Sequence, residues 1–183
     1  VREAAIHGFF RGPDEAAETH WRAIAALLDD TSQHVRYTAI LVLQQVGAIA
    51  AEAGPRALEL VVDADVSSKE PLLRFGAEHT PNDEAKLELL GSLLADEEYR
   101  VGHAAQEALE PYGSSALPLL IEAMQQEAVR ARRRAAKALV PVESKAAIPA
   151  LFEALEDESY LVRQYAEEAL KRMGVGEMVY FQI

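Results

Sequence analysis

The chain has 183 residues, 50% hydrophobic and 26% charged, with 18 Lys and Arg against 30 Asp and Glu. This length and apolar content suit one domain with a sizeable core, and the lack of cysteine excludes disulfides, thiolate metal sites and cysteine nucleophiles. No apolar run of 18 residues occurs, so no membrane-spanning helix is predicted. The net charge of −12 disfavours nucleic-acid binding, because phosphate neutralisation requires clustered basic residues.

Amphipathic helical stretches alternate with short polar turns along the whole sequence. Residues 1–11 predict a helix without a preceding partner, and the residues after it predict five helix pairs. The pairs cover 14–29 with 32–46, 54–64 with 67–78, 82–94 with 97–111, 114–125 with 127–140, and 145–155 with 158–173. We term the first helix of a pair helix A and the second helix B. The lone first helix, a helix B, predicts pairing with another chain or with residues that precede it.

The second pair departs from the pattern of the others. Pro71 lies where helix B should run, Phe75-Gly76 replaces the usual leucine position, and His79 to Asp83 (HTPND) predicts a break. We therefore expect a distorted or shortened helix B. Two interpretations stay open, namely a degenerate repeat and a bend that shapes a cleft for a partner.

The sequence repeats with a period of about 31 to 34 residues. Leu27–Gly47 superposes on Leu93–Gly113 without a gap, and Leu155–Gly174 repeats most of the same positions. A glycine ends three of the units, at Gly47, Gly113 and Gly174, and predicts a helix C-cap there. Because one unit cannot bury both of its apolar faces, its neighbours must stack on it. The predicted fold is all-α, an α-solenoid of about five helix pairs with an incomplete first unit, forming one domain over residues 1–174.

The pattern Asp30-x4-Val35-Arg36-x2-Ala39-x3-Leu43-x3-Gly47 resembles HEAT repeats, above all the short bacterial type also seen in phycobilisome lyase-like proteins. The resemblance covers nearly the whole chain. It implies a non-enzymatic scaffold for protein–protein interaction, with the partner bound on the concave surface formed by helices B. The alternatives are a lyase-like HEAT subunit that handles a tetrapyrrole or its carrier protein, and a HEAT-like nucleic-acid-binding protein. We expect a cytoplasmic protein without a cofactor.

Equivalent exposed positions on successive helices B define the predicted partner surface. They are Tyr37, Leu41, His103, Glu107, Arg133, Lys137 and Gln164. Their chemistry varies while the packing positions stay constant, as expected of a surface that recognises a partner. The acidic excess of the chain predicts a basic protein as that partner.

Residues 125–140 are locally basic, with five Lys and Arg and one acid, Glu127. Arg130, Arg133, Arg134 and Lys137 are spaced at i, i+3, i+4 and i+7 and share one helix face. They either neutralise acids on neighbouring helices, such as Glu107, Glu110, Glu167 and Glu168, or form a docking patch for an acidic segment or a phosphate group. No aromatic residue interleaves the arginines, which disfavours single-stranded nucleic acid.

A second set of arginines follows the valine of helix B in several copies. Its members are Arg2, Arg36, Arg132 and Arg163, and Asp30 and Asp157 precede two of them. We predict a structural ladder in which these arginines contact the acidic turns of adjacent units. Such partly exposed ion pairs contribute about 0–1 kcal/mol each.

Neither a metal site nor a catalytic group is predicted. The five histidines lack H-E-x-x-H or a comparable spacing, and no glycine-rich phosphate loop occurs. Deoxyhypusine hydroxylase, a HEAT-type enzyme, holds two irons with His-Glu pairs, but the comparable copy here is Gly102-His103-Ala104. Residues 175–183 form a tail that is either a native apolar segment or a remnant of a tag-cleavage site, because Glu177, Tyr180 and Gln182 fit E-x-x-Y-x-Q.

Overall fold

The computed structural model describes residues 14–81 and 83–175. Within these ranges the secondary structure is helical, without a β-strand, so the all-α prediction is confirmed. The α-helices are α1 (Asp14–Ala25), α2 (Gln33–Val46), α3 (Gly54–Glu59), α4 (Val66–His79), α5 (Glu84–Leu93), α6 (Tyr99–Leu109), α7 (Leu117–Met124), α8 (Val129–Leu139), α9 (Ile148–Ala154) and α10 (Tyr160–Arg172). The helix predicted over 1–11, the oligomer contact expected of it, and the tail from 176 onward lie outside the described residues.

The chain divides into two compact units between residues 82 and 83. In the first unit, α1 packs on α2, α3 packs on α4, and the helices B α2 and α4 pack on each other. In the second unit, the pairs are α5 with α6, α7 with α8, and α9 with α10, and the helices B α6, α8 and α10 pack in succession. Each unit is thus a stack of helix pairs, as the repeats predict. The single domain over residues 1–174 stays a prediction.

The observed pairs coincide with the predicted ones, but helix A is often shorter than expected. Gly54–Glu59 is α-helical where residues 54–64 were predicted, and a 3₁₀ turn over Lys145–Ala147 precedes α9. Similar 3₁₀ turns occupy Ala26–Asp29, Gly47–Ala53 and Glu110–Ala116. The α-helical part of helix A therefore spans 6 to 12 residues, and helix B is the longer element of each pair.

The repeated apolar positions form the core of both units. The valine, alanine and leucine positions of helix B are each 3% exposed or less, at Val35, Ala39, Leu43, Val101, Ala105, Leu109, Val162, Ala166 and Leu170. The glycines that end these units, Gly47, Gly113 and Gly174, have φ of 59°, 50° and 74°. Residues with a side chain rarely adopt this backbone region. Gly47 is the C-cap of α2 and Gly174 directly follows the C-cap of α10, as predicted, whereas Gly113 lies within the 3₁₀ segment after α6.

The prediction of a distorted or shortened helix at Pro71 is wrong. Helix α4 runs through Pro71 for 14 residues, and its cap residue Asp65 accepts a hydrogen bond from the Ser68 N–H at 3.1 Å. Pro71 and Phe75 are buried, so packing outweighs the roughly 3 kcal/mol cost of an internal proline. Gly76 does not end the helix but admits α3, because a Cβ there would lie 2.7 Å from the backbone nitrogen of Leu58.

The predicted break after α4 is confirmed. Thr80 leaves the helix in an extended conformation, with φ −91° and ψ 136°. Helix α5 then begins after Asp83, whose side chain accepts a hydrogen bond from the Lys86 N–H at 2.8 Å. This N-cap satisfies one of the backbone donors that a helix start leaves unpaired.

Candidate functional site

The turn between helix A and helix B is built in the same way in three pairs. An aspartate side chain accepts a hydrogen bond from the backbone N–H two residues later, a geometry that holds the backbone in a turn. The pairs are Asp30 with Ser32 at 2.9 Å, Asp96 with Glu98 at 2.8 Å, and Asp157 with Ser159 at 2.8 Å. The acidic residues therefore define where helix B begins, as the sequence predicts.

In three pairs an arginine on the first turn of helix B closes the A–B turn by donating Nη1 to two backbone carbonyls, and two of these are the aspartate turns at Asp30 and Asp157. Arg36 donates to Asp30 and Thr31, Arg132 to Gln126 and Glu127, and Arg163 to Asp157 and Glu158, at 2.6–3.3 Å. Two of the arginines also reach the acid of the following pair: Arg36 Nη2 lies 3.4 Å from Asp65, and Arg132 Nε lies 2.6 Å from Asp157. The predicted ladder is confirmed at these two steps, and Arg2 lies outside the described residues.

The ion pair between Arg132 and Asp157 is the more enclosed of the two steps, with side chains 13% and 9% exposed. Burial alone raises the pKa of Asp157, but hydrogen bonds from Arg132 and from the Ser159 N–H outweigh it and hold that pKa below its ordinary value. The hydrogen bonds that Arg132 donates to Asp157 in turn raise the pKa of Arg132. Both groups are therefore held in their charged forms.

The turn before α6 lacks an arginine of its own. Gly102 stands at the position that carries Arg36, Arg132 and Arg163 in three of the other four pairs. Arg134 from α8 of the next pair takes its place. The Nη1 of Arg134 donates to the carbonyls of Leu94 at 2.6 Å and Asp96 at 2.9 Å. A Cβ on Gly102 would lie 1.9 Å from this Nη1, so the missing side chain makes room for the guanidinium.

Arg130 and Arg134 therefore serve the A–B turn of the preceding pair. Arg130 Nε donates to the carbonyl of Ala95 at 2.6 Å, and its Nη2 lies 3.3 Å from Glu97. Arg134 is only 4% exposed. Burial lowers its pKa, and the positive charges of Arg133 and Arg130 lower it further. A guanidinium still stays charged at neutral pH, so a buried cation lies beside two others.

A pocket of about 190 Å³ opens beside Arg134 on the surface formed by helices B of the second unit. We call it the helix-B pocket. Three successive helices line it, α6 with Tyr99, His103 and Gln106, α8 with Arg133, Arg134 and Lys137, and α10 with Leu161 and Tyr165. None of these eight lining residues is acidic. The pocket thus joins cationic side chains to aromatic and aliphatic walls.

The helix-B pocket brings together four of the residues named from the sequence, His103, Arg133, Arg134 and Lys137. The other named residues of the second unit lie outside its lining. Glu107 Oε2 is 3.3 Å from His103 Nδ1, Arg130 lies at the turn before α6, and Gln164 is exposed on α10. Tyr37 and Leu41 belong to the first unit, where both are half-buried on α2.

The sequence interpretation missed the aromatic and aliphatic walls, Tyr99, Leu161 and Tyr165. Tyr99 and Leu161 follow the A–B turns directly, where the sequence pattern marks only the start of a helix. Tyr99 is 63% exposed and Leu161 is 36% exposed, and large apolar side chains with such exposure near one pocket indicate a contact surface. The burial of Arg134 was also missed, although glycine in place of arginine at residue 102 is a signal for it.

Part of the second unit matches a known protein family. Residues 117–178, which include α7 to α10, match the family model for HEAT repeats. This part of the chain is built of HEAT repeats. The predicted HEAT-type repeat fold is therefore confirmed. No curated protein matches the sequence.

Solved structures resemble the helical-repeat fold of this chain over most of its length. An engineered protein solved as a structural genomics target is 19% identical, with a TM-score of 0.56 over 96% of this chain and 90% of the other. A designed armadillo repeat protein is 18% identical, with a TM-score of 0.50 over 92% of this chain and 90% of the other. At such identities the likeness shows a shared helical-repeat fold, and function must be argued from the site.

Across 14–81 and 83–175, no group of three or more His, Asp and Glu side chains is placed to hold a metal ion. No helix in the same ranges is long and apolar enough to cross a bilayer.

Proposed function

We propose that this protein is a non-catalytic scaffold that binds a partner protein on the helix-B surface of its second unit. The helix-B pocket carries the proposal, because it joins three helices of successive repeats and is lined by Arg133 and Lys137, which make no ion pair within the described residues. HEAT and armadillo folds commonly serve protein interaction. Stacked repeats hold such a surface rigid, so little conformational entropy is lost on binding.

The chain's charge supports a partner that is basic overall. The net charge of −12 attracts a positively charged protein at long range and speeds its association. The affinity should therefore fall as salt is added, because salt screens interactions beyond about 8–10 Å. Cytoplasmic location remains our expectation for this protein.

Site-specific photo-crosslinking tests the proposed surface. A benzoylphenylalanine is placed at Gln164 or Tyr99 on helices B, and at Glu122 or Glu153 on helices A of the same unit. All four side chains are exposed, which makes the helix-A positions matched controls. In lysate of the source cells, the helix-B positions should crosslink to one protein and the helix-A positions should not. Equal crosslinking from both sets would show that helix B is not the binding surface.

A further inference from the structure

The cations of the basic helix α8 differ in what they contact. Arg130, Arg132 and Arg134 each donate to backbone carbonyls, and the first two also pair with acids. Arg133 and Lys137 line the helix-B pocket instead. Neither makes an ion pair or a side-chain hydrogen bond to any residue within 14–81 or 83–175. Two cations one helical turn apart on one pocket wall are therefore without an anionic partner among residues 14–81 and 83–175.

The surroundings of Arg133 and Lys137 strengthen the positive potential of the pocket. Arg134 forms part of the same wall, and its Nε is buried without a hydrogen-bond partner in the described part of the chain. Each of these three cations destabilises the others, because like charges at short range repel. An anion in the pocket relieves this repulsion and gains charge-assisted hydrogen bonds.

The other walls of the pocket are apolar or aromatic. Tyr99 is largely exposed, Leu161 is about one third exposed, and Tyr165 lines the same pocket. The Tyr99 and His103 rings lie 5.6 Å apart, centroid to centroid. A bare inorganic anion in the pocket leaves these apolar surfaces exposed to water. A ligand with an apolar side chain next to its anionic group also buries them. The volume of about 190 Å³ suits one or two side chains and is smaller than a typical small-molecule site.

We infer that the helix-B pocket binds an acidic residue adjacent to an aromatic or aliphatic residue, in an extended segment of the partner protein. Arg133 and Lys137 bind the carboxylate, and Tyr99, Leu161 and Tyr165 contact the apolar neighbour. This inference rests on the proposed function and names the anchor within that surface. A partner that is basic overall still supplies this one acidic anchor, because the cations here act at short range.

Two dipeptides that differ in one charge test the inference. N-acetyl-Phe-Glu-amide and its neutral counterpart N-acetyl-Phe-Gln-amide are titrated into the ¹⁵N-labelled full chain, and amide shifts are followed by NMR. The Glu peptide should bind at least about tenfold more tightly, with the largest shifts in α6, α8 and α10. Equal affinity of the two peptides would overturn the inference. Inorganic phosphate, titrated alone, should bind more weakly than the Glu peptide, and tighter binding would overturn the assignment to a peptide segment.

Charge variants locate the binding. Arg133→Glu/Lys137→Glu and the milder Arg133→Gln/Lys137→Gln should both lose binding of the Glu peptide by about tenfold or more. The matched control Lys145→Glu/Lys171→Glu makes the same charge change at exposed positions of the same unit and should bind normally. Binding that survives both pocket variants, with the fold intact by circular dichroism, would refute the site.

The two proposals fail in different ways. If the helix-B positions crosslink to a protein but the Glu dipeptide does not bind, the scaffold function is supported and the acidic anchor is refuted. If the Glu dipeptide binds but no position crosslinks to a protein, the anion-binding pocket is supported and a partner protein as the source of its ligand is refuted.

Discussion

In the turns before α10 and before α6, backbone carbonyls accept hydrogen bonds from an arginine. The two arginines come from different positions in the repeat. Before α10, Arg163 on the helix itself donates to the carbonyls of Asp157 and Glu158. Before α6, Gly102 has no side chain, and Arg134 donates from the next pair. The turn carbonyls are therefore satisfied either from within a repeat or from its neighbour.

The supply of Arg134 from the next pair affects the surface of the second unit. Arg134 extends across Gly102 to reach the turn before α6. Arg133 and Lys137 accompany it on the pocket wall without serving a turn. The comparison thus separates the basic block into arginines that hold repeats together and cations that remain for a partner.

The largest expected effect is the loss of the arginine supplied by the neighbour. Arg134→Ala should lower the free energy of unfolding by about 1–3 kcal/mol, because two charge-assisted hydrogen bonds to buried carbonyls are lost. Relief of repulsion with Arg133 offsets part of this cost. Urea unfolding followed by circular dichroism measures the change.

The control for this prediction is the adjacent residue. Arg133→Ala should alter stability by no more than about 0.5 kcal/mol, since Arg133 has no such bonds within the described residues. Equal losses in the two variants would mean that the structural and partner-facing arginines are not distinct.

A smaller effect is expected at the glycine that admits the guanidinium. Gly102→Ala should destabilise the chain by about 1 kcal/mol, although alanine is the better helix former by a similar amount. The added Cβ overlaps Arg134 and forces its flexible guanidinium away from the Leu94 and Asp96 carbonyls. A stabilised Gly102→Ala variant in thermal unfolding would show that Arg134 is not held over this residue.

The smallest effect concerns the ladder that the other turns use. The pKa of Asp157 lies below its ordinary value of about 3.9. Its ionised form therefore stabilises the fold at neutral pH, and this contribution is lost as the pH falls below about 4 and through the lower folded value. Asp157→Asn should cost about 1 kcal/mol at pH 7 and less at pH 3. Urea unfolding at both values tests this, and Glu153→Gln, at an exposed residue, is the control.

The repeat architecture was predictable because it depends on local periodicity. Val35, Ala39 and Leu43 recur as Val101, Ala105 and Leu109, and stacking requires such positions to be apolar wherever the chain continues. The glycines at 47, 113 and 174 were equally informative, because their positive φ is a local requirement.

The deviations from the sequence interpretation arise where tertiary packing overrides a local rule. Pro71 lies inside an uninterrupted helix because its neighbours are buried against α3 and α2. Helical spacing placed Arg134 on the same face as Arg133, yet its long side chain turns inward once Gly102 leaves space. The pocket walls at Tyr99 and Leu161 depend on how three helices pack, which periodicity within one helix does not encode.

The exchange of Arg134 for an arginine at residue 102 tests the central claim most directly, in a double-mutant cycle of unfolding free energies. Gly102→Arg should destabilise the parent chain, where Arg134 occupies the space. In the Arg134→Ala variant, the same substitution should stabilise the fold, by about 1 kcal/mol more than Gly102→Ala does in that variant. Such a reversal of sign shows that residues 102 and 134 offer two sources for one guanidinium. Equal effects of Gly102→Arg in both backgrounds would contradict the account.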